Sequence, residues 1–332
     1  MEFTTVPGTS MRVSRIALGT WAIGGWMWGG TDEDSAIQTI ITALEEGINL
    51  IDTAPVYGFG RAEEIVGRAL RMHHRREEVF VSTKAGLAWE GGRVFRNASR
   101  GQIKKDLEDS LRRLGTDYID IYFVHWPDPL VPAEETAEAM QDLFHEGKIR
   151  AVGVSNYTAA EMAAFEKSSP LHLAQPPYNL FERGIEEEVM EHCRDRNIAL
   201  MTYGALCRGL LSGGMTASRE FSGDDIRTYD PKFQGDRFRQ YLSAADKLAE
   251  LARERYSRGL LAMAVRWVLD QGADIAIWGA RRPEQIAPIR EAVGWIIGDY
   301  GKRQIRKILD ETLHDPVGPD FMAPPVRNIL NR

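Results

Sequence analysis

Short apolar runs rich in β-branched residues alternate along this chain with longer stretches in which apolar positions recur every three or four residues. Eight runs have strand length: Arg15–Gly19, Asn49–Thr53, Val79–Lys84, Ile119–His125, Arg150–Ser155, His172–Gln175, Ile198–Tyr203 and Asp274–Gly279. Between them Ile37, Ile40, Ile41 and Leu44 mark one face of a helix. The sets Ile65, Val66, Ala69, Leu70, then Ile103, Leu107, Leu111, Leu114, then Leu261, Ala264, Val265, Val268 repeat that spacing. Thr31-Asp-Glu-Asp34 and Thr158-Ala-Ala-Glu161 carry the hydroxyl-to-acid spacing of a capping box and predict helix starts. Alternating strands and helices predict parallel βαβ units, and continuous apolar runs predict strands covered on both faces.

Eight such units predict an α/β fold, a closed (β/α)8 TIM barrel. The alternative is an open doubly wound sheet, whose site gathers at one switch point, whereas a barrel's site collects the ends of many strands. Thr20-Trp21, Asp52, Lys84, His125-Trp126, Ser155-Asn156, Gln175, Tyr203 and Gly279-Ala-Arg281 all stand at or just past strand ends, as a ring would. An N-terminal β-hairpin is predicted from Phe3–Val6 and Met11–Val13 around Pro7-Gly8. A long polar loop, Gly209 to Gln240, follows strand seven, and loops of that length are usually functional or disordered. No linker composition divides residues 1–332, which read as one domain.

Composition narrows the function classes. The 41 basic and 48 acidic residues leave a net charge of −7, without the basic footprint of a nucleic-acid binder. Two cysteines, Cys193 and Cys207, make neither a disulfide framework nor a CxxC zinc site. No apolar run approaches the roughly 20 residues of a membrane span. No signal-peptide pattern opens the chain, so a cytoplasmic location and no membrane partner are expected. Gly58-Phe-Gly60-Arg-Ala-Glu63 imitates a dinucleotide fingerprint, but Glu63 stands where helix packing needs a small residue.

The informative set is Asp52, Tyr57, Lys84 and His125, from three adjacent strand ends and one following loop. Gathered in a barrel mouth, these groups suit proton transfer to a carbonyl oxygen. A free tyrosine has a pKa of about 10, too high for an efficient acid at neutral pH. A nearby lysine ammonium lowers it, and a carboxylate keeps that lysine charged. A neutral imidazole orients the carbonyl and shares its developing charge. Taken singly, each of these residues also reads as an ordinary ion pair or a satisfied core side chain.

Asp52-Thr-Ala-Pro-Val-Tyr57-Gly, Ser82-Thr-Lys84, Ser110-Leu-Arg-Arg-Leu-Gly-Thr-Asp-Tyr-Ile-Asp120 with His125-Trp-Pro-Asp128, and Gly147-Lys-Ile-Arg-Ala-Val-Gly-Val-Ser-Asn156 resemble the aldo-keto reductase superfamily. The likeness runs from Arg15 to about Ala292. It implies a (β/α)8 barrel that binds NADP(H) or NAD(H) without a dinucleotide-binding domain and transfers hydride reversibly between coenzyme and carbonyl carbon. Tyr57 then matches the general acid, Lys84 and Asp52 its tuning pair, and His125 the carbonyl-orienting residue. The resemblance implies coenzyme contacts at Gly19, Thr20, Trp21, Asp52, Ser155, Asn156, Gln175 and Tyr203. It extends them to Gly204, Leu206 and Arg208 near the pyrophosphate, and to Gly279, Arg281 and Gln285 at the adenosine end. Arg281 favours NADP(H) over NAD(H), since its charged fork suits a 2′-phosphate. Ile289 and Trp278 depart from the family's usual residues there.

The substrate side is aromatic. Gly24-Gly-Trp-Met-Trp-Gly-Gly30 puts Trp26 and Trp28 in the loop after strand one, and Trp21, Trp28, Trp89 and Trp126 are the expected substrate contacts. Phe321–Val326 could cover the pocket, with no single contact assigned. The expected ligand is a small aldehyde, ketone or sugar. The alternatives are a sugar or polyol dehydrogenase working in the oxidative direction and a coenzyme-sensing subunit like the potassium-channel β-subunits. A metal-dependent barrel is not expected, because His125 is the only histidine at a strand end.

Overall fold

A computed structural model describes residues 1–73 and 76–327. Its strands in chain order are β1 (Phe3–Thr5), β2 (Arg12–Ser14), β3 (Ile16–Gly19), β4 (Leu50–Asp52), β5 (Phe80–Ala85), β6 (Leu87–Glu90), β7 (Arg93–Arg96), β8 (Ile121–Val124), β9 (Val152–Ser155), β10 (Leu173–Gln175), β11 (Ala199–Thr202) and β12 (Ile275–Gly279). The strands β3, β4, β5, β8, β9, β10, β11 and β12 pair in parallel, in that circular order, and close a barrel. This is the (β/α)8 architecture, and all eight runs read from the sequence became its strands, seven trimmed by a residue or more and Val79–Lys84 shifted by one to Phe80–Ala85.

The barrel strands are buried because both of their faces are covered. Ala17, Leu50, Ile121, Phe123, Met201, Ile275 and Ile277 fill the interior. Gly153 makes room there for Phe123, whose ring would lie 2.3 Å from any Cβ added at that glycine. Val6, Met11 and Val13 of the N-terminal hairpin join the same interior cluster, so β1 and β2 plug the end of the barrel where its strands begin. The outer faces meet a helical layer through residues such as Ile40, Val66, Leu107 and Val265.

Three differences from the sequence reading have local causes. The helix at Glu33–Glu45 is capped by Asp32 rather than Thr31, its carboxylate accepting from Ser35 N at 2.9 Å. At Thr158 the full capping box forms with Glu161. The loop after β11 ends at Gln234, because a helix spans Gly235–Tyr256. A second hairpin, β6 and β7 around Gly91-Gly92, stands beyond β5. Its signal was present in the sequence as two short strand-like stretches about a Gly-Gly turn. Among the described residues no helix is long and apolar enough to cross a membrane.

Candidate active site

Asp52 ends β4 and is the hub of the barrel mouth. Its Oδ1 accepts from Ser82 Oγ, Lys84 Nζ and Gln175 Nε2, each at 2.9 Å, and its Oδ2 accepts from Lys84 Nζ at 2.7 Å. Lys84 is fully buried in β5 and gives its remaining contact to Thr53 O at 2.9 Å. Burial alone pulls the Lys84 ammonium below its ordinary pKa, and the Asp52 charge works against that. Such a pair holds a charge in place only because every donor meets an acceptor.

Tyr57 follows five residues after Asp52, on a loop seated by a close backbone approach. Gly58 has φ +69°, and a Cβ there would lie 2.1 Å from Gly24 O, so the tyrosine loop presses on the loop after β3. The Tyr57 ring stacks on Trp21 with centroids 6.0 Å apart, and His125 stands edge-on to it at 5.9 Å. Lys84 Nζ lies 5.0 Å from the same ring's centroid. Burial, and then the Asp52 carboxylate, push the Tyr57 phenol well above its ordinary value. The lowering expected from a neighbouring ammonium is therefore corrected: the Lys84 donors are held by Asp52 and Thr53. The raised value keeps the proton on Tyr57 at neutral pH. Burial first, with the Lys84 charge second, holds the His125 imidazole well below 6.5, so it is neutral.

The other residues proposed from sequence divide into two groups. Trp21, Ser155, Asn156, Gln175 and Tyr203 line the same cavity as Tyr57 and His125. Ser155 Oγ donates to Gln175 O at 2.8 Å, and Asn156, in the left-handed region at φ 62°, donates its Nδ2 to His125 O at 3.0 Å. Tyr203 Oη donates to Asn156 Oδ1 at 2.8 Å. Gly19 and Thr20 lie beneath this layer, where Thr20 Oγ1 donates to Asp52 O.

Away from the cavity, Gly204 O accepts from Asn179 and Leu206 packs on the core. Arg208 is not free for a phosphate: its buried guanidinium is paired with Glu182 and Asp230. Gln285 Oε1 accepts from the backbone N–H groups of Arg281 and Arg282, which shapes the turn after β12 and leaves Gly279 exposed. Trp278 and Ile289, the two departures from the family pattern, are both buried in the core. Arg281 is half-buried and, among the described residues, makes no ion pair. It donates to Trp28 O at 2.6 Å, and its burial and the charges of Arg282 and Arg227 depress its pKa.

The cavity has a volume of about 500 Å³ and its upper walls are apolar. Trp126 lines it as expected, and so does Trp26, which had been placed in the loop without an assigned contact. Trp28 stands behind, edge-on to Trp21 at 5.6 Å, and Trp89 lies toward the tip of the β6–β7 hairpin against Phe59. Neither reaches the wall; Leu87 and Val94 of that hairpin do. Ile226 and Tyr229 of the loop after β11, together with Phe321, Met322, Pro324 and Pro325, complete it. The segment Phe321–Val326 was expected over the pocket and four of its residues line it, whereas no local pattern marks Ile226 and Tyr229, whose cavity neighbours come from distant parts of the chain.

The donor set fits a nicotinamide coenzyme. Trp21 Nε1 is buried without an acceptor, and Gln175 gives only its Nε2 to Asp52, leaving Oε1 for a ligand amide. The unpaired Arg281 suits a phosphate.

The comparisons agree with this geometry. The description "Aldo/keto reductase family" matches residues 15–309. Aldo-keto reductase YhdN of Bacillus subtilis (strain 168) is 55% identical over 328 residues, covering 98% of this chain and 99% of that relative. The NADH-specific methylglyoxal reductase of Escherichia coli (strain K12) is 38% identical, over 91% and 96% of the two chains. Among solved structures, the glycerol dehydrogenase AKR11B4 from Gluconobacter oxydans superposes with a TM-score of 0.87 at 48% identity, covering 97% of this chain and 99% of its own. A match of this extent to the family, over a closed barrel with this mouth, makes the chain a member of the aldo/keto reductase family of oxidoreductases.

Proposed function

We propose that this protein reduces the carbonyl of small neutral aldehydes and ketones with NADPH, and that Tyr57 is the proton donor. The observation that carries the reading is the buried Asp52–Lys84 pair beneath a protonated Tyr57 and beside a neutral His125. Bound nicotinamide supplies the hydride that the carbonyl carbon accepts. Tyr57 Oη donates its proton to the carbonyl oxygen as charge develops there. The Lys84 ammonium, held under the ring, offsets the charge left on Tyr57. His125 as a neutral imidazole offers a donor to the same oxygen. Ser155, Asn156 and Gln175 would hold the ring amide, and Tyr203 would stack on the ring.

The coenzyme preference rests on Arg281, the one guanidinium in that turn without a carboxylate partner, next to Arg282 and Arg227. One relative is named as NADH-specific, so the preference is a property of these side chains and not of the family as a whole.

The test is the fall in NADPH absorbance against a panel of aldehydes, ketones and dicarbonyls. Turnover on a panel member, lost in Tyr57→Phe, supports the reading. NADPH binding without any turnover overturns it. A second reading, alcohol or polyol oxidation, is favoured by the similar structure described as a glycerol dehydrogenase. Faster reduction of the coenzyme by glycerol than its oxidation by any carbonyl would select that direction.

A further inference from the structure

The cavity's outer wall is a strap, residues 318–325, that crosses the mouth from the loop after β11 to the β6–β7 hairpin. Its regular structure is one 3-10 turn, Asp320–Met322. Cations pin both of its ends. On one side a buried quartet, Glu182, Arg208, Asp230 and Lys232, balances two carboxylates with two cations. Lys232 is wholly buried and donates to Glu182 Oε1 at 2.7 Å and to Gly318 O at 3.2 Å. The Arg208 guanidinium and the Lys232 ammonium both face the Phe321 ring, 5.4 and 5.5 Å from its centroid. Arg208 Nη1 also lies 3.8 Å from Met322 Sδ.

On the other side Arg96, in β7, donates its backbone N–H to Pro325 O at 3.0 Å and its Nε to Pro324 O at 2.8 Å. The same guanidinium donates to Pro127 O and covers the Trp126 ring at 5.1 Å. Pro324 and Pro325 lack N–H groups and have a fixed φ, which stiffens the strap at this anchor.

Burying four charges brings little net stability over apolar packing, and here the two cations of the four contact Gly318 O and the Phe321 ring of the strap. The side chains so positioned are Phe321 and Met322, which face the cavity. We infer that the quartet and Arg96 are positioning residues that latch this strap, and that Phe321 and Met322 set the size of carbonyl admitted. The inference rests on the carbonyl-reduction reading for its substrate and on the latch geometry for its mechanism. It also joins the loop after β11, through Asp230 and Lys232, to the substrate wall, so a change at either is felt at the other.

The experiment uses the full chain and three variants. Lys232→Met combined with Glu182→Gln removes one charge pair and keeps the quartet neutral. Arg96→Gln loosens the opposite anchor. Phe321→Ala opens the wall with both anchors intact, and keeps the test available if the buried double variant fails to fold. Amide hydrogen exchange over 318–325 should lose protection in the anchor variants. The ratio of the KM for naphthaldehyde to the KM for propanal should shift about tenfold in every folded variant. Unchanged protection in the folded anchor variants overturns the latch. Equal shifts for both aldehydes, or none, overturn the size-setting role. If wild type binds NADPH and turns over neither aldehyde, the reaction reading falls instead. Exchange then decides the latch, and naphthaldehyde affinity by tryptophan quenching decides the wall.

Discussion

Gln175 donates its Nε2 to Asp52 Oδ1 at 2.9 Å across the barrel, from β10 to the diametrically placed β4. The carboxylate that holds Lys84 is thereby fixed from both sides of the mouth. Losing it leaves a buried ammonium with only Thr53 O as acceptor. Asp52→Ala is expected to lower stability by about 3–5 kcal/mol, the usual result of orphaning a buried charge. Asp52→Asn keeps the shape and removes the charge that opposes the burial of Lys84. The Lys84 pKa should fall further, so the alkaline limb of kcat should move to lower pH. A pH–rate profile of Asp52→Asn that overlays wild type would remove Asp52 from that role.

Tyr57→Phe keeps the ring that stacks on Trp21 and removes only the proton. Turnover is expected to drop about 10²–10⁴-fold, the range for a general acid, with coenzyme affinity retained. Coenzyme titration alongside steady-state rates separates the two. Turnover near wild type would refute the assignment.

The parts of this design that were legible in the sequence are those decided locally. The barrel strands are covered on both faces, so their apolar runs stand out, and residues at their ends fall into a ring by topology alone. Glu63 shows the same logic from the other side. The fingerprint-like glycines around it were set aside on packing grounds, and Glu63 proves to be buried between Thr83 Oγ1 and Arg113 Nε. What stayed hidden depends on partners far away in the chain. Arg208 looked like a phosphate ligand because Glu182 and Asp230 lie 26 and 22 residues from it. The β6–β7 hairpin was passed over because Glu90, Gly91, Gly92 and Arg93 break its apolar pattern. The segment Phe321–Val326 was expected over the pocket, but the cations that hold Phe321 there, Lys232 and Arg208, were not legible.

His125 and His172 are both buried with their imidazoles held below 6.5 by loss of solvent. In the unfolded chain both titrate at about 6.5. The unfolded state therefore takes up more protons as pH falls below that value. Stability from keeping these rings neutral is complete above about pH 6.5 and declines as pH drops toward their folded-state values. Thermal midpoints should fall more steeply between pH 6.5 and 5 in wild type than in His125→Asn, by the share that His125 carries. Parallel curves for the two proteins would show that His125 contributes nothing to this slope.

Arg281 now donates to Trp28 O, and a phosphate must draw it from that carbonyl or share it. Arg281→Ala should weaken NADPH binding by about tenfold or more, as expected for a lost charge-assisted pair, and leave NADH binding nearly unchanged. Calorimetric titration with both coenzymes checks it. Equal losses would place Arg281 at a contact common to the two, and no loss would move the 2′-phosphate elsewhere.

The loop after β11 is clasped to the loop after β3. Asp224 Oδ2 accepts from Met27 N at 2.9 Å, Ile226 N donates to Met27 O at 3.0 Å, and the Arg227 guanidinium lies 5.4 Å from the Trp28 ring centroid. The clasp spans from the loop after β11 to the loop that carries Trp26, and a coenzyme held beneath it would leave only after it opens. Asp224 is exposed and contributes one of its two hydrogen bonds, which makes it the part that can be removed without disturbing the core. Asp224→Ala should speed NADPH release several-fold, on the order of the 0.5–1.5 kcal/mol that one hydrogen bond contributes. Where release limits turnover, kcat should rise by the same factor. Stopped-flow displacement measures the off-rate directly. An off-rate equal to wild type would mean that the clasp does not gate the coenzyme, and that the loop serves the substrate wall instead, through Ile226, Tyr229, Asp230 and Lys232.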